Sequence, residues 1–117
     1  MVGRIRQGEV YWVDLGPANG SARAERHPCV VVQSDVFNES RIPTSVVCLI
    51  TSNMNRAAAP GNIGLRIGEG GMSQACVVNV AQLTTVDKLA LKERVGQLPA
   101  TSLAAVLRGV HLVLTGE

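Results

Sequence analysis

A chain of 117 residues with 46% hydrophobic and 17% charged side chains can bury roughly 65% of its unfolded surface, so it needs no disulfide or metal as a staple. No apolar run approaches the roughly 18 residues of a membrane span and no charged-then-apolar leader opens the sequence, so the expectation is one cytoplasmic domain spanning residues 1–117. The net charge of +2 is too slight for a general nucleic-acid coat, yet residues 1–66 carry seven arginines against five acids while residues 67–117 balance four against four, which points to a localised anion site.

From Gly8 to Leu15 the run Glu-Val-Tyr-Trp-Val-Asp-Leu is β-rich and partly alternating, and Gly16-Pro17 stops it, giving a first strand. The connection from Gly16 to His27 is long and polar, with Gly20, Ser21, Arg23, Glu25 and Arg26, and such loops carry function, so it is a candidate lid. Cys29 to Val32, four consecutive apolar residues closed by Gln33-Ser34-Asp35, read as a central strand buried on both faces. Pro28 has no N–H for a ladder and belongs at the first position of that strand, where it holds His27 extended. Asp35 is the expected cap of a helical turn from Val36 to Ser40.

Ser45 to Thr51 read as a second buried strand, with Thr51 at its lip and the polar stretch Ser52 to Arg56 beyond it. Pro60-Gly61 turns the chain into a short strand, Asn62 to Ile67, with Leu65 and Ile67 on one face. The glycines from Gly68 to Gly71 lack dinucleotide-binding spacing and read as a turn. Ala75 to Val80 and Gln82 to Val86 form one interrupted strand, and Lys92 to Leu98 a last short one. Beyond Pro99 the residues Leu103, Val106, Leu107, Val110, Val113 and Leu114 recur at helical spacing, with Gly116 as a stop. The fold class is mainly β (α+β), a small, strongly curved barrel of short antiparallel strands with a C-terminal amphipathic helix.

The common hydrolase signatures are absent: there is no Gly-x-Ser-x-Gly elbow, no Cys-x-x-Cys and no carboxylate pair at useful spacing. A zinc cage would need His27, Cys29, Cys48 and Cys76 to converge, whereas three cysteines inside apolar runs are better explained as free buried thiols, so no metal or cofactor is expected. His27 beside Arg26 is the sharper feature. A histidine trades protons near neutral pH and an arginine holds a phosphate through paired donors, which suits metal-free cleavage of RNA. Thr51, Ser52 and Asn53 offer hydroxyl and amide donors to an oxyanion. Each has a plain counterpart: a solvated arginine, a histidine packed before a proline, and a threonine favoured by its strand. His111, between Leu107 and Leu114, reads as structural.

Taken in order and spacing, Gly8 to Pro17, Gly20-Ser21, His27 to Asn38 and Ile50-Thr51-Ser52, with Pro60, the strand Val77 to Leu83 and the terminal helix, resemble the MazF/PemK family of toxin endoribonucleases. The resemblance implies a barrel related to SH3 and CcdB folds, a homodimer, and metal-independent, sequence-specific cutting of single-stranded RNA. It implies 2′,3′-cyclic phosphate and 5′-hydroxyl ends, and a cognate MazE-like antitoxin whose acidic tail fills the RNA groove. In that pattern an arginine directly before the strand-opening proline and a threonine ending the next core strand carry catalysis. Thr51 matches, while the arginine position is filled by His27 with Arg26 one residue earlier, and Ser21-Ala22 stands where Ser-Glu is usual. Either His27 replaces the arginine or the loop shifts to deliver Arg26. The implied catalytic set is His27, Arg26 and Thr51, with Ser21, Arg23, Ser52, Asn53 and Gln82 as substrate contacts. Two other classes share such a barrel: a CcdB-type gyrase-inhibiting toxin and a non-catalytic module that binds nucleic acid or peptide.

Overall fold

The computed structural model describes residues 4–15 and 25–117, in which the chain forms six strands and two α-helices. They are β1 (Glu9–Leu15), β2 (Glu25–Val31), α1 (Asp35–Asn38), β3 (Thr44–Thr51), β4 (Ile63–Leu65), β5 (Cys76–Asp87), β6 (Glu93–Gln97) and α2 (Ala100–Thr115). All strand pairs are antiparallel, in the order β4-β5-β3-β2-β1-β6. The sheet curls into a half-barrel. Between its edges β4 and β6 the closure comes from packing, because the turn at Gly70 and Gly71 lies against Val95 and Gly96 of β6 so closely that a side chain on Gly96 would collide with the Gly70 carbonyl.

Alternation explains why the central strands are apolar on consecutive residues. Val30, Val32, Cys48, Ile50, Val78 and Val80 bury into the core beneath α2, whereas Cys29, Val31, Val47 and Leu49 bury with Ile5, Tyr11, Val13 and Leu91 on the opposite face. A strand with a core on each side has no polar face to show, which is what Cys29 to Val32 display. Each fully buried valine contributes on the order of 1.5–3 kcal/mol. Glu9 ties β1 to β6: its Oε1 accepts from Arg6 N–H at 2.7 Å and from the Tyr11 hydroxyl at 2.9 Å, and its Oε2 from Arg94 Nε at 2.6 Å. Burial, then the bond to Glu9, push the Tyr11 phenol up to about 12.

Several boundaries differ from the sequence expectation. β2 begins at Glu25, so Arg26 and His27 are strand residues; pairing with β1 (Leu15↔Glu25 through Trp12↔Pro28) orders what composition alone reads as loop. Pro28 is therefore inside β2, yet it stands immediately before the β2–β3 ladder, which runs from Cys29↔Leu49 to Val31↔Val47. The cap of α1 is Ser34, whose hydroxyl accepts from Val36 N–H, because the Asp35 carboxylate is taken by Gln7 N–H at 2.7 Å and Asn38 Nδ2 at 3.1 Å. β4 stops at Leu65, since a left-handed Gly68 (φ 93°) bends the chain, and Ile67 is 72% exposed instead of sharing Leu65's burial.

The interruption expected at Ala81 is a bulge: Leu49 pairs with Asn79 and Cys48 with Leu83, so Val80, Ala81 and Gln82 have no partner on β3. On α2, Leu103, Val106, Leu107 and Val110 pack on the core, but Val113 and Leu114 are 42% and 69% exposed, beyond the sheet's reach. His111 is exposed too, and its carbonyl accepts from Thr115 Oγ1. Gly116, left-handed, ends the helix as expected.

Candidate functional site

Past Pro28 the sheet parts. β2 continues toward Glu25 paired only with β1, β3 continues to Thr51 paired with β5, and a cleft of about 610 Å³ lies between them. Arg26, His27, Thr51, Ser52, Asn53 and Gln82 all line it. Six of the eight residues singled out from sequence thus meet at one place; the other two, Ser21 and Arg23, lie outside the described residues, as do residues 16–24 of the lid expected from Gly16 to His27, whose last three residues belong to β2.

Thr51 is half-buried at the end of β3, and its Oγ1 accepts from Asn53 N–H at 3.1 Å. That bond occupies a lone pair and leaves the hydroxyl hydrogen free to donate. Asn53 in turn caps the short 3₁₀ helix Met54–Ala58 by accepting from Asn55 N–H, so its amide N–H₂ is the part left for a ligand. Gln82 accepts on its carbonyl from Asn79 Nδ2 at 3.1 Å, which again leaves the N–H₂ to donate.

Arg26 and His27, being neighbours on a strand, leave it on opposite faces. Continuing the β2–β3 register two places beyond Cys29↔Leu49 sets His27 across from Thr51, on their shared face. His27 Nε2 lies 3.4 Å from Glu25 Oε2. On the other face the Arg26 guanidinium stacks 4.7 Å from the centre of the Trp12 ring and gives Nη2 to Glu93 Oε2 at 2.6 Å. That pair is solvent-exposed and contributes little to stability; its effect is to fix where the guanidinium sits.

Sequence reasoning did not single out Trp12, Arg56, Ser73, Gln74 and Asn79, which also line the cleft. Trp12 reads in the sequence only as part of the first strand, and the others reach the cleft from the 3₁₀ helix (Arg56), the turn before β5 (Ser73 and Gln74) and β5 itself (Asn79), a convergence without a local signal. Among the described lining residues there are two arginines and a histidine but no carboxylate, so the cleft attracts an anion. The zinc alternative fails on geometry: Cys29 and Cys48 are buried in different cores. Burial pushes both thiols up to about 12, the opposite of what a thiolate ligand needs. Among the described residues no three His, Cys, Asp or Glu side chains gather as a metal site.

The family model of PemK-like, MazF-like toxins of type II toxin-antitoxin systems matches residues 6–114. Over 110 residues, 94% of this chain and 96% of its relative, the sequence is 44% identical to endoribonuclease MazF6 of Mycobacterium tuberculosis. Among solved structures, a MazE-MazF crystal structure from Deinococcus radiodurans superposes with a TM-score of 0.80 at 22% identity, covering 98% of this chain and 99% of that one. An endoribonuclease in complex with its cognate antitoxin, from a mycobacterial species, gives 0.76 at 18% identity over 94% of each chain. At these identities the structural likeness speaks for the fold.

Proposed function

The chain belongs to the PemK-like, MazF-like toxins of type II toxin-antitoxin systems, and we propose from that membership that it is an endoribonuclease whose cleft cuts single-stranded RNA at short sequences without a metal ion. The observation that carries the reading is a cleft without a carboxylate among its described lining residues, onto which a proton-transfer group, His27, and a hydroxyl donor, Thr51, both open. A cleft of that composition holds a phosphodiester and offers a divalent cation little.

In the proposed reaction the ribose 2′-oxygen attacks the adjacent phosphorus, the bond from phosphorus to the 5′-oxygen breaks, and a 2′,3′-cyclic phosphate and a 5′-hydroxyl remain. The 2′-hydroxyl loses a proton and the 5′-oxygen gains one. His27 is the group that transfers a proton here. Arg26 keeps donors beyond the one given to Glu93 and clamps the phosphate, and the Thr51 hydroxyl donates to the oxygen on which charge develops. Ser52, Asn53 and Gln82 hold the strand through the donors left to them.

The same surface suits an acidic antitoxin segment, which would compete with RNA for Arg26 and Arg56 and bind less tightly as salt rises. Exposed Val113 and Leu114 on α2 support association into a homodimer. No helix among the described residues is long and apolar enough to cross a membrane, and a cytoplasmic location fits an RNA substrate. A gyrase-binding or merely RNA-binding barrel would dispense with His27 and Thr51, and the 44% identity to an endoribonuclease favours catalysis. The test is incubation of the purified protein with a long RNA in excess chelator, with the ends of the products determined. Cuts confined to single-stranded positions, with cyclic phosphate and 5′-hydroxyl ends, are expected. A strict need for added Mg²⁺ or Mn²⁺, or products ending in a 3′-hydroxyl, would sink the mechanism.

A further inference from the structure

Beyond Arg26 the cleft continues into a smaller hollow of about 180 Å³, walled by Trp12, Asp14, Arg26, Ala90, Lys92 and Glu93. Strand geometry builds it. Asp14 lies opposite Arg26 in the β1–β2 ladder and Trp12 opposite Glu93 in the β1–β6 ladder, so these four side chains rise from one face of three neighbouring strands. Trp12 and Arg26 border both hollows, so the two form one groove, divided by the guanidinium that stacks on the indole.

The two halves differ in charge. Among the described residues the cleft carries Arg26 and Arg56 without a carboxylate, whereas in the hollow Asp14 and Glu93 offset Arg26 and Lys92. The hollow therefore offers a second phosphate no net attraction. What suits a hollow this small, beside an indole and a guanidinium plane, is a flat neutral ring, and nucleobases stack on both kinds of surface. Ionised carboxylates only accept hydrogen bonds, and Glu93 has spent Oε2 on Arg26, leaving Oε1. They pair with the amino groups of cytosine, adenine or guanine. Uracil has one donor, N3–H, between two carbonyls, and a carboxylate placed to receive an exocyclic amino group meets its O4, acceptor against acceptor.

We propose that this hollow is a base-reading subsite: the Trp12–Arg26 stack seats the nucleotide flanking the phosphate that Arg26 holds, and Asp14, with Glu93, selects an amino-bearing base over uracil. The proposal rests on the nuclease reading above, and it assigns selectivity to residues outside the reacting set. Glu93 also fixes Arg26, so its substitution would mix two effects. Asp14 is exposed and outside the catalytic set, which makes Asp14→Asn the informative variant.

The experiment compares wild type and Asp14→Asn on pairs of short single-stranded RNAs that differ only at one nucleotide flanking a mapped cut, an amino-bearing base against uracil, on each side in turn. Wild type should prefer the amino-bearing base on one side by on the order of 10- to 100-fold in kcat/KM, and Asp14→Asn should reduce that to a few-fold, mostly by losing rate on the preferred RNA. Trp12 is the chain's one tryptophan, so its emission reports on the hollow directly. A 2′-O-methyl oligonucleotide, which has no 2′-hydroxyl to attack, should quench it at lower concentration when it carries the amino-bearing base. Wild-type cutting that ignores both flanking bases, or a preference that survives Asp14→Asn, overturns the subsite and leaves the nuclease standing. If wild type cuts no RNA, the nuclease reading fails, and the quenching titration then decides the hollow by itself: equal quenching by both oligonucleotides overturns it.

Discussion

Replacing Thr51 by valine separates catalysis from architecture, because the two residues have nearly the same shape and only the hydroxyl is lost. In the folded protein that hydroxyl accepts one hydrogen bond, from Asn53 N–H at 3.1 Å, at a half-buried position. Its structural worth is about 1 kcal/mol, a small part of the roughly 5–15 kcal/mol that holds a domain of this size. A donor aimed at a developing oxyanion is worth about 2.7–4 kcal/mol in the transition state, a rate factor of roughly 100 to 1,000. Thr51→Val should therefore lower kcat by at least about 100-fold with little change in KM, while its urea midpoint moves only slightly. Thr51→Ser keeps the hydroxyl and should stay within about 10-fold of wild type. Initial rates on a fluorophore–quencher RNA, taken above and below KM, measure both parameters. Cutting by Thr51→Val within about threefold of wild type would refute the donor role. So would a serine variant as inactive as the valine one, or a loss that falls mainly on KM, which would reduce Thr51 to a prop for the Ser52–Asn53 turn.

If His27 transfers the proton, His27→Ala should lower the rate by roughly 100-fold or more while His27→Arg keeps activity; a His27→Ala variant as active as wild type, beside an inactive Arg26→Ala, would move the role to Arg26. Gly109→Ala should destabilise by about 1–3 kcal/mol in urea, although alanine is the better helix former by about 1 kcal/mol, because the new methyl would strike the Gly61 carbonyl; a stabilised variant would show that the turn at Pro60–Gly61 gives way. The Ser102 hydroxyl, at 2.6 Å, and the Arg66 N–H hold the Glu69 carboxyl below its usual range, so its folded pKa is the lower one and its stabilisation is present above the unfolded value and lost as pH falls through the folded one. Glu69→Gln should be less stable than wild type by about 1 kcal/mol at pH 7 and indistinguishable from it in acid, and a gap that does not close would contradict that linkage.

What was legible in the sequence follows from how locally each feature is determined. Cys29 to Val32 and Val46 to Ile50 could be read as strands because two cores, one on each side, require apolar residues at every position. The helix seam on α2 was legible over Leu103 to Val110 and failed at Val113 and Leu114, because periodicity reports a face without saying how far the sheet beneath it extends. Glu25 to His27 looked like loop since nothing local announces a strand whose only partner is β1. Ser34 and Asp35 are equally good caps by type, and a residue 28 positions away, Gln7, decides between them. Residues that line the cleft could be singled out where polar chemistry concentrates locally, at His27 and Thr51. They were missed where Trp12, Arg56 and Gln74 converge from separate elements.

The open choice between His27 and Arg26 turns on register. Sliding β2 by one residue, so that Arg26 took the place of His27, would move every following side chain to the other face. Val30 and Val32 would exchange cores with Cys29 and Val31, and the ladder to β3, which begins immediately past Pro28, would have to be rebuilt around a residue without an N–H. Four fully packed positions resist that slip, and a polar preference for one cationic side chain over another does not outweigh them. Arg26 is moreover held on its own face by Glu93 and Trp12. The two residues therefore reach the same cleft from opposite sides of one strand, which suits a division of labour between proton transfer and phosphate binding better than a competition for one role.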